Sequence, residues 1–419
     1  MKIVLLNTSD SGGGAAVAAR RLLDALDKAG EDVRMVVRNK KTHQQNILSV
    51  NTSRFQFFLN YLRFLLERIV IFCRNGFHKK DVFKVSIANT GMDVSVYPVV
   101  KEADILHLHW INQGFLSLKD IKRLLELNKP VVWTLHDMWP CTAICHHAWT
   151  CERFKDRCGK CPFLHSRKIK DISYSVWKKK KFMQSSAIQI VAVSSWLAEK
   201  AKESSLTKDL PVTVIPNAID TTVFYKKDKI ESRKSLKLPL DKKIILMGAS
   251  RLDDPIKGFG YLKQALHVLM QNESYRNNLF LVLFGNIREK ESFFENLPVP
   301  YSSLGEMKNA TRIADLYSAA DVTVVPSFYE TFGQTLIEAM ACGCPGVSFN
   351  NSGQTDIIDH RQNGYLAEYL NAEDFAAGIS WALEQAEGIS SLCVEKVQAH
   401  YTEAVVAEKY LSLYNRLLK

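Results

Sequence analysis

Short runs of Val, Ile and Leu recur along this chain, each followed by a stretch whose apolar residues fall three or four positions apart. In the first half the runs are Ile3–Asn7, Val33–Val37, Ile105–His109, Val131–His136, Ile190–Ser194 and Val212–Pro216. A second series comprises Ile244–Gly248, Leu279–Gly285, Val322–Pro326 and Gly346–Phe349. Helical patterns stand at Gly260–Met270, Ala310–Ala319 and Asp374–Gln385. Unbroken apolar runs predict strands covered on both faces, and their alternation with helices predicts parallel sheets. A chain of 419 residues exceeds one ordinary core. The expectation is therefore α/β, with two Rossmann-like doubly wound domains facing across a cleft. The seam falls near Asn217–Lys229, giving domains 1–217 and 218–400. In such sheets ligands bind off the carboxyl ends of the strands.

Composition places the chain among globular proteins, with 47% hydrophobic and 24% charged residues. No low-complexity tract or short repeat interrupts it. The N-terminus, Met1 to Asn7, turns polar too soon for a secretory signal, so a cytoplasmic location is expected. The net charge of +11 favours anionic partners. With no zinc finger, RNA-binding strand signature or basic heptad region, nucleic acid is not an expected partner. A phosphorylated substrate or a membrane surface, the latter met peripherally on its cytoplasmic side, remains.

The most informative segment runs from Glu330 to Glu338. A strand ends at Pro326, a Phe332-Gly333 turn follows, and a helix begins near Thr335. Glu330 sits in the loop, beside the unpaired N–H groups of a helix start, and Glu338 about two turns into the helix. Two carboxylates can each bind a polyol while the helix start faces an anion. Arg251 and Lys257 follow the strand Ile244–Gly248, and fixed cations there would stabilise a departing diphosphate. The neighbouring Asp253 and Asp254 read as loop charges. Gly12, Gly13 and Gly14 follow the first strand and allow close backbone approach to a phosphate. They lack the G-x-G-x-x-G spacing, and the second strand ends in basic Arg38 and Lys40, so a nicotinamide cofactor is not expected. His109 and His136 end strands and are candidates for the acceptor side.

These residues together resemble glycosyltransferase family 4, retaining enzymes of the GT-B fold. The resemblance rests on Ser11–Gly14, His107-Leu108-His109-Trp110, Thr134-Leu135-His136-Asp137, Val193–Ser195, Ile215–Asp220, Ala249–Leu252 with Lys257-Gly258, and the Glu330/Glu338 pair. It implies a nucleotide-sugar donor, with base and sugar open, and a saccharide or lipid-linked acceptor. Glu330 would contact the donor sugar, Glu338 the ribose, Arg251 and Lys257 the diphosphate. His136 would hold the reacting end. Gly13, Gly14, Phe332 and Gly333 complete the donor set. No metal is required for catalysis in this class. The family's last helix crosses back onto the first domain, which residues 401–419 fit. A bacterial polysaccharide-synthesis subgroup resembles the stretch from Trp133 to Pro140 and beyond.

Cys145, Cys151, Cys158 and Cys161 lie in one loop-like stretch. In a reducing compartment this favours a structural zinc, with free thiols or disulfides as alternatives. Cys141, His146 and His147 are further candidate ligands. Cys342 and Cys344 read as small packing residues. Ser352–Asp356 occupies the place of a donor-contacting loop but departs from the family pattern. Arg54 to Arg74 is a charged, aromatic-rich amphipathic helix, with Lys79 and Lys80 following and Lys178–Lys181 as another basic run. Charges interrupt it, so it is not expected to span a membrane. It is either interfacial or packed on the first domain.

Overall fold

The computed structural model describes residues 1–79, 81–166, 168–288 and 290–419. Lys80 lies outside them. The chain divides into two compact units, Met1–Pro216 with Val406–Lys419, and Asn217–Val405.

The first unit is built on seven parallel strands: β1 (Lys2–Ser9), β2 (Asp32–Asn39), β3 (Ile47–Ser49), β4 (Ile105–Leu108), β5 (Val131–Leu135), β6 (Ile188–Ala192) and β7 (Val212–Val214). Their order is β3-β2-β1-β4-β5-β6-β7. The direction of winding reverses between β1 and β4. Loops leaving these two strands therefore diverge and open a crevice at their carboxyl ends. The glycine loop follows β1, and His109 follows β4.

The second unit has six parallel strands: β8 (Lys243–Arg251), β9 (Leu279–Asn286), β10 (Tyr301–Ser303), β11 (Val322–Val325), β12 (Gly346–Phe349) and β13 (Gly364–Ala367). The order β10-β9-β8-β11-β12-β13 puts its reversal between β8 and β11. Arg251 ends β8, and Glu330 lies in the loop after β11. Ile245, Leu281, Val324 and Val347 fill the sheet's buried face beside Leu262 and Phe375. Burying each such side chain contributes about 1.5–3 kcal/mol. The sheet is thus a rigid platform for those loops.

Two helices begin the first unit's coverage: α1 (Gly14–Lys28) and α2 (Arg54–Arg74). The last helix, Glu403–Leu417, sends Tyr410 and Tyr414 into the first unit. Tyr401, expected to belong with that segment, stays with the second unit and donates its hydroxyl to the carbonyl of Asp356 at 2.9 Å. Among the described residues no helix is long and apolar enough to cross a membrane.

Candidate active site

In the second unit the structure brings Lys257 and Glu330 together. Lys257 Nζ lies 2.6 Å from Glu330 Oε1, and the Ser327 hydroxyl donates to the same oxygen at 2.8 Å. Both side chains keep partial exposure, so the pair remains open to a ligand. Their loops are cross-braced. Phe328 N–H donates to the carbonyl of Ile256 at 2.8 Å. Gly258 adopts φ +68°, and a Cβ there would stand 1.8 Å from the carbonyl oxygen of Pro326. Only glycine lets the two loops approach this closely.

A second brace comes from the segment Ser352–Asp356. The backbone N–H of Glu330 donates to Ser352 Oγ at 2.9 Å and to Gln354 Oε1 at 3.1 Å. Gly353 N–H returns a bond to the carbonyl of Glu330 at 2.9 Å. Gln354 is fully buried and donates to Ser348 Oγ, which bonds the carbonyl of Val325. The segment that departs from the family's donor-contacting pattern is therefore a frame that fixes Glu330. Sequence reasoning missed this, and Ser327 as well, because a hydroxyl three residues away carries no signal of its own.

Arg251 is not free-standing. It pairs with Asp253 at 3.3 Å and Asp254 at 3.0 Å, so those acids orient the guanidinium rather than being idle loop charges. Glu338 lies about one turn into the helix Gln334–Ala341, not two, because it stands only four residues after Gln334. It accepts a hydrogen bond from the Tyr317 hydroxyl at 3.1 Å. Phe332 is only 3% exposed and packs edge-on against Tyr401, centroids 5.9 Å apart. Its ring is core, so what Phe332 presents at the turn is its backbone. Gly333 caps the helix with φ 121°.

In the first unit Gly13 caps α1 with φ 98°, and Gly14 opens the helix. No acid stands in the first turn of α1. A Cβ on Gly13 or Gly14 would meet nothing within 4 Å, so open space lies before both.

The histidines form one cluster. His107 is fully buried between the Tyr414 hydroxyl and Thr134 Oγ1, each at 2.7 Å. His109 Nδ1 is 2.9 Å from His136 Nε2, with the rings stacked at 5.2 Å. His109 Nε2 is buried with no hydrogen-bond partner among the described residues. Burial and the neighbouring imidazoles push His109 well below the ordinary histidine range. Burial lowers His107 to about 3, and lowers His136 to about 4 against the opposing pull of Asp137. The cluster is neutral near pH 7, so its chemistry is hydrogen bonding, not charge. Asp137 shows the converse. Burial would raise it, but His146 at 2.6 Å holds it ionised at about 2.

Profile comparison settles the family. The profile described as Glycosyltransferase Family 4 matches residues 12–223, just over half of the 419 residues. That described as Glycosyl transferases group 1 matches residues 228–395.

The chain belongs to glycosyltransferase family 4.

An uncharacterised glycosyltransferase of Methanocaldococcus jannaschii is 26% identical over 368 residues, covering 81% of this chain and 90% of that protein. D-inositol 3-phosphate glycosyltransferase of Acidothermus cellulolyticus is 27% identical over 220 residues, 49% of this chain and 48% of that protein. Among solved structures, sucrose-phosphate synthase of Thermosynechococcus elongatus aligns with TM-score 0.68 at 19% identity, covering 99% and 98% of the two chains. Anabaena HepE in complex with UDP-glucose aligns with TM-score 0.64 at 16% identity, covering 99% and 100%. At these identities the structural likeness shows the fold, which is GT-B.

The four loop cysteines of this family 4 glycosyltransferase do converge. Cys145, Cys151, Cys158 and Cys161 line one cavity of about 20 Å³. All are free thiols. Yet among the described residues no three His, Cys, Asp or Glu side chains are placed to hold a metal ion. His146, an alternative ligand, is committed to Asp137. Burial raises the Cys145 and Cys158 thiols to about 12 and 11, which favours the protonated form. Lys180 also departs from expectation. Of the run Lys178–Lys181 it alone points fully inward, donating to the carbonyls of Trp139 at 2.6 Å and Thr142 at 3.0 Å.

Proposed function

We propose that this family 4 glycosyltransferase moves a sugar from a nucleotide-sugar to a saccharide or lipid-linked saccharide acceptor, with retention at the anomeric carbon. The observation that carries this reading is the braced Lys257–Glu330 pair at the β8/β11 reversal. It combines a fixed cation for the diphosphate with a carboxylate for sugar hydroxyls. Arg251, oriented by its two aspartates, adds a second cation. Glu338 would bind the ribose hydroxyls. On donor binding Lys257 would exchange part of its contact with Glu330 for the diphosphate, and so follow the charge as the glycosidic bond breaks. Retention would follow from attack on the same face, with the departing phosphate taking the acceptor's proton. The first unit would supply the acceptor side, with neutral His136 donating or accepting one hydrogen bond to a sugar hydroxyl.

Support for a nucleotide-sugar comes from HepE, whose structures were solved with UDP and with UDP-glucose. A bacterial polysaccharide acceptor is consistent with the similarity to WaaG, a lipopolysaccharide-biosynthesis glycosyltransferase. The test is a thermal-shift screen against nucleotides and nucleotide-sugars, followed by product analysis with the donor that binds. A transferred sugar with retained configuration is expected. Epimerised donor without transfer, or binding without turnover, would overturn the proposal.

A further inference from the structure

The helix α2 is packed inside out. A surface helix of a globular protein turns its apolar stripe inward and its charges outward. Here three of the four buried residues, Asn60, Glu67 and Arg68, are polar, with Ile71 the fourth, and Glu67 is 0% exposed. Glu67 Oε1 accepts from Ser86 Oγ at 2.6 Å and from the N–H groups of Ile87 and Ala88 at 2.8 and 2.9 Å. Arg68 donates to the carbonyls of Val82 and Val85 at 2.6 and 2.9 Å. The helix is thus held to the first unit mainly by its polar side. Its outer side carries Phe55, Phe58 and Ile69 at 68%, 54% and 52% exposure, with Phe57, Tyr61 and Leu66 also exposed. Phe77 and Phe83 extend the same character beyond the helix at 69% and 68%. An exposed apolar surface of this extent marks a contact with an apolar phase or partner.

A second feature adjoins it. Val70 and Arg74 of α2 help to line a cavity of about 600 Å³. Lys119, Lys168, Lys170 and Lys179 line it too. Asp171 is the acid among the described lining residues. Its carboxylate is already engaged by Ser173 Oγ and the N–H groups of Tyr174 and Cys161. The cavity is therefore strongly cationic.

We propose that α2 is a membrane-docking element. Its aromatic face enters the boundary between headgroups and acyl chains of an anionic bilayer, and the adjoining cationic cavity takes a lipid phosphate headgroup. Charge complementarity selects this occupant. A protein partner or second copy would satisfy the apolar face but give no reason for five cations beside it, whereas anionic lipids satisfy both. The helix lies on the membrane and does not cross it, since its inward side is charged. This inference does not depend on the donor chemistry.

Flotation of the full chain with vesicles tests it. We expect binding to phosphatidylcholine vesicles containing phosphatidylglycerol, and little binding to phosphatidylcholine alone. The triple variant Phe55→Ser, Phe58→Ser, Ile69→Ser should weaken binding by about tenfold or more, because its side chains leave the apolar phase. Lys168→Glu with Lys170→Glu should weaken it by roughly fivefold or more per site and remove the preference for anionic lipid. All these side chains are at the surface, and an unchanged melting temperature verifies the fold. Equal binding to neutral and anionic vesicles would overturn the role of the cavity. No vesicle binding, or a dimer by light scattering that the triple variant dissociates, would overturn the docking proposal.

Discussion

Gly353 donates its backbone N–H to the carbonyl of Glu330 at 2.9 Å, while a Cβ on Gly353 would stand 2.6 Å from the carbonyl oxygen of Thr331. The position admits no side chain without moving the loop that holds Glu330. Gly353→Ala is therefore expected to lower kcat/KM for transfer by about a hundredfold, the scale of a misplacement near 1 Å. Secondary structure should stay intact by circular dichroism. Steady-state kinetics at near-normal rates would show that Glu330 tolerates the shift, or has no role in transfer.

Lys257 and Glu330 form a partly exposed pair, and such pairs contribute about 1 kcal/mol or less to stability. Their removal should cost far more in transfer than in folding. Lys257→Ala and Glu330→Ala are each expected to lose about 3–4 kcal/mol of transition-state stabilisation, with melting temperatures little changed. The double variant should lose less than the sum, because the partners act as a unit. Additive losses in the double-mutant cycle would argue against a shared role.

The two sheets were legible from sequence because strands covered on both faces leave continuous apolar runs, as in Val322–Val325 and Ile244–Met247. The short strands β3, β10 and β13 were not, since three or four residues at or next to a sheet edge leave no periodic trace. At the site, Arg251, Lys257, Glu330 and Glu338 were visible as residue types after strands. What holds them was not. The bond from Gln354 to Glu330 spans 24 positions and depends on a backbone turn at Ser352 with φ 59°. The orientation of α2 was also hidden. Its periodicity gives an amphipathic helix but does not say which side faces the protein, and Glu67 fixes that through partners about 20 residues away.

The neutral histidine cluster sets an acid limit on stability. In the unfolded chain histidine titrates near 6.5. Burial lowers His107 to about 3 and His136 to about 4 in the folded protein. Between those values the unfolded chain binds more protons, so stability falls as pH drops from about 6.5 towards 4, and is fully present above about 7. Melting temperatures across that range should show the decline, and His136→Asn should flatten part of it. In NMR titration these imidazoles should remain neutral down to about pH 5. Midpoints near 6.5 would contradict the burial assigned to them.

The cysteines should separate by exposure. Cys73 is exposed, while Cys145, Cys158 and Cys161 are buried with burial-raised thiols. Only thiolates react quickly, so a maleimide at neutral pH should label Cys73 first and these three, like the other buried thiols, much later. All nine thiols should titrate after denaturation, with no metal released. One zinc per chain, lost on Cys158→Ser, would show that the loop closes around an ion by rotating its side chains inward.

Lys180 ties the cysteine segment to the first unit. It is fully buried, its ammonium 3.2 Å from the centroid of the Trp139 ring, and it donates to the carbonyls of Trp139 and Thr142. Burial disfavours its charge, yet removing it strands two buried carbonyls. The second effect should dominate, since the aliphatic stem of methionine replaces the packing but not the donors. Lys180→Met is expected to destabilise the chain by about 1–3 kcal/mol in denaturant unfolding. The neighbouring Lys179→Met, at the rim of the cationic cavity, should stay within about 0.5 kcal/mol of the parent. Equal effects of the two variants would mean that Lys180 is no anchor and that the segment is held by its other contacts.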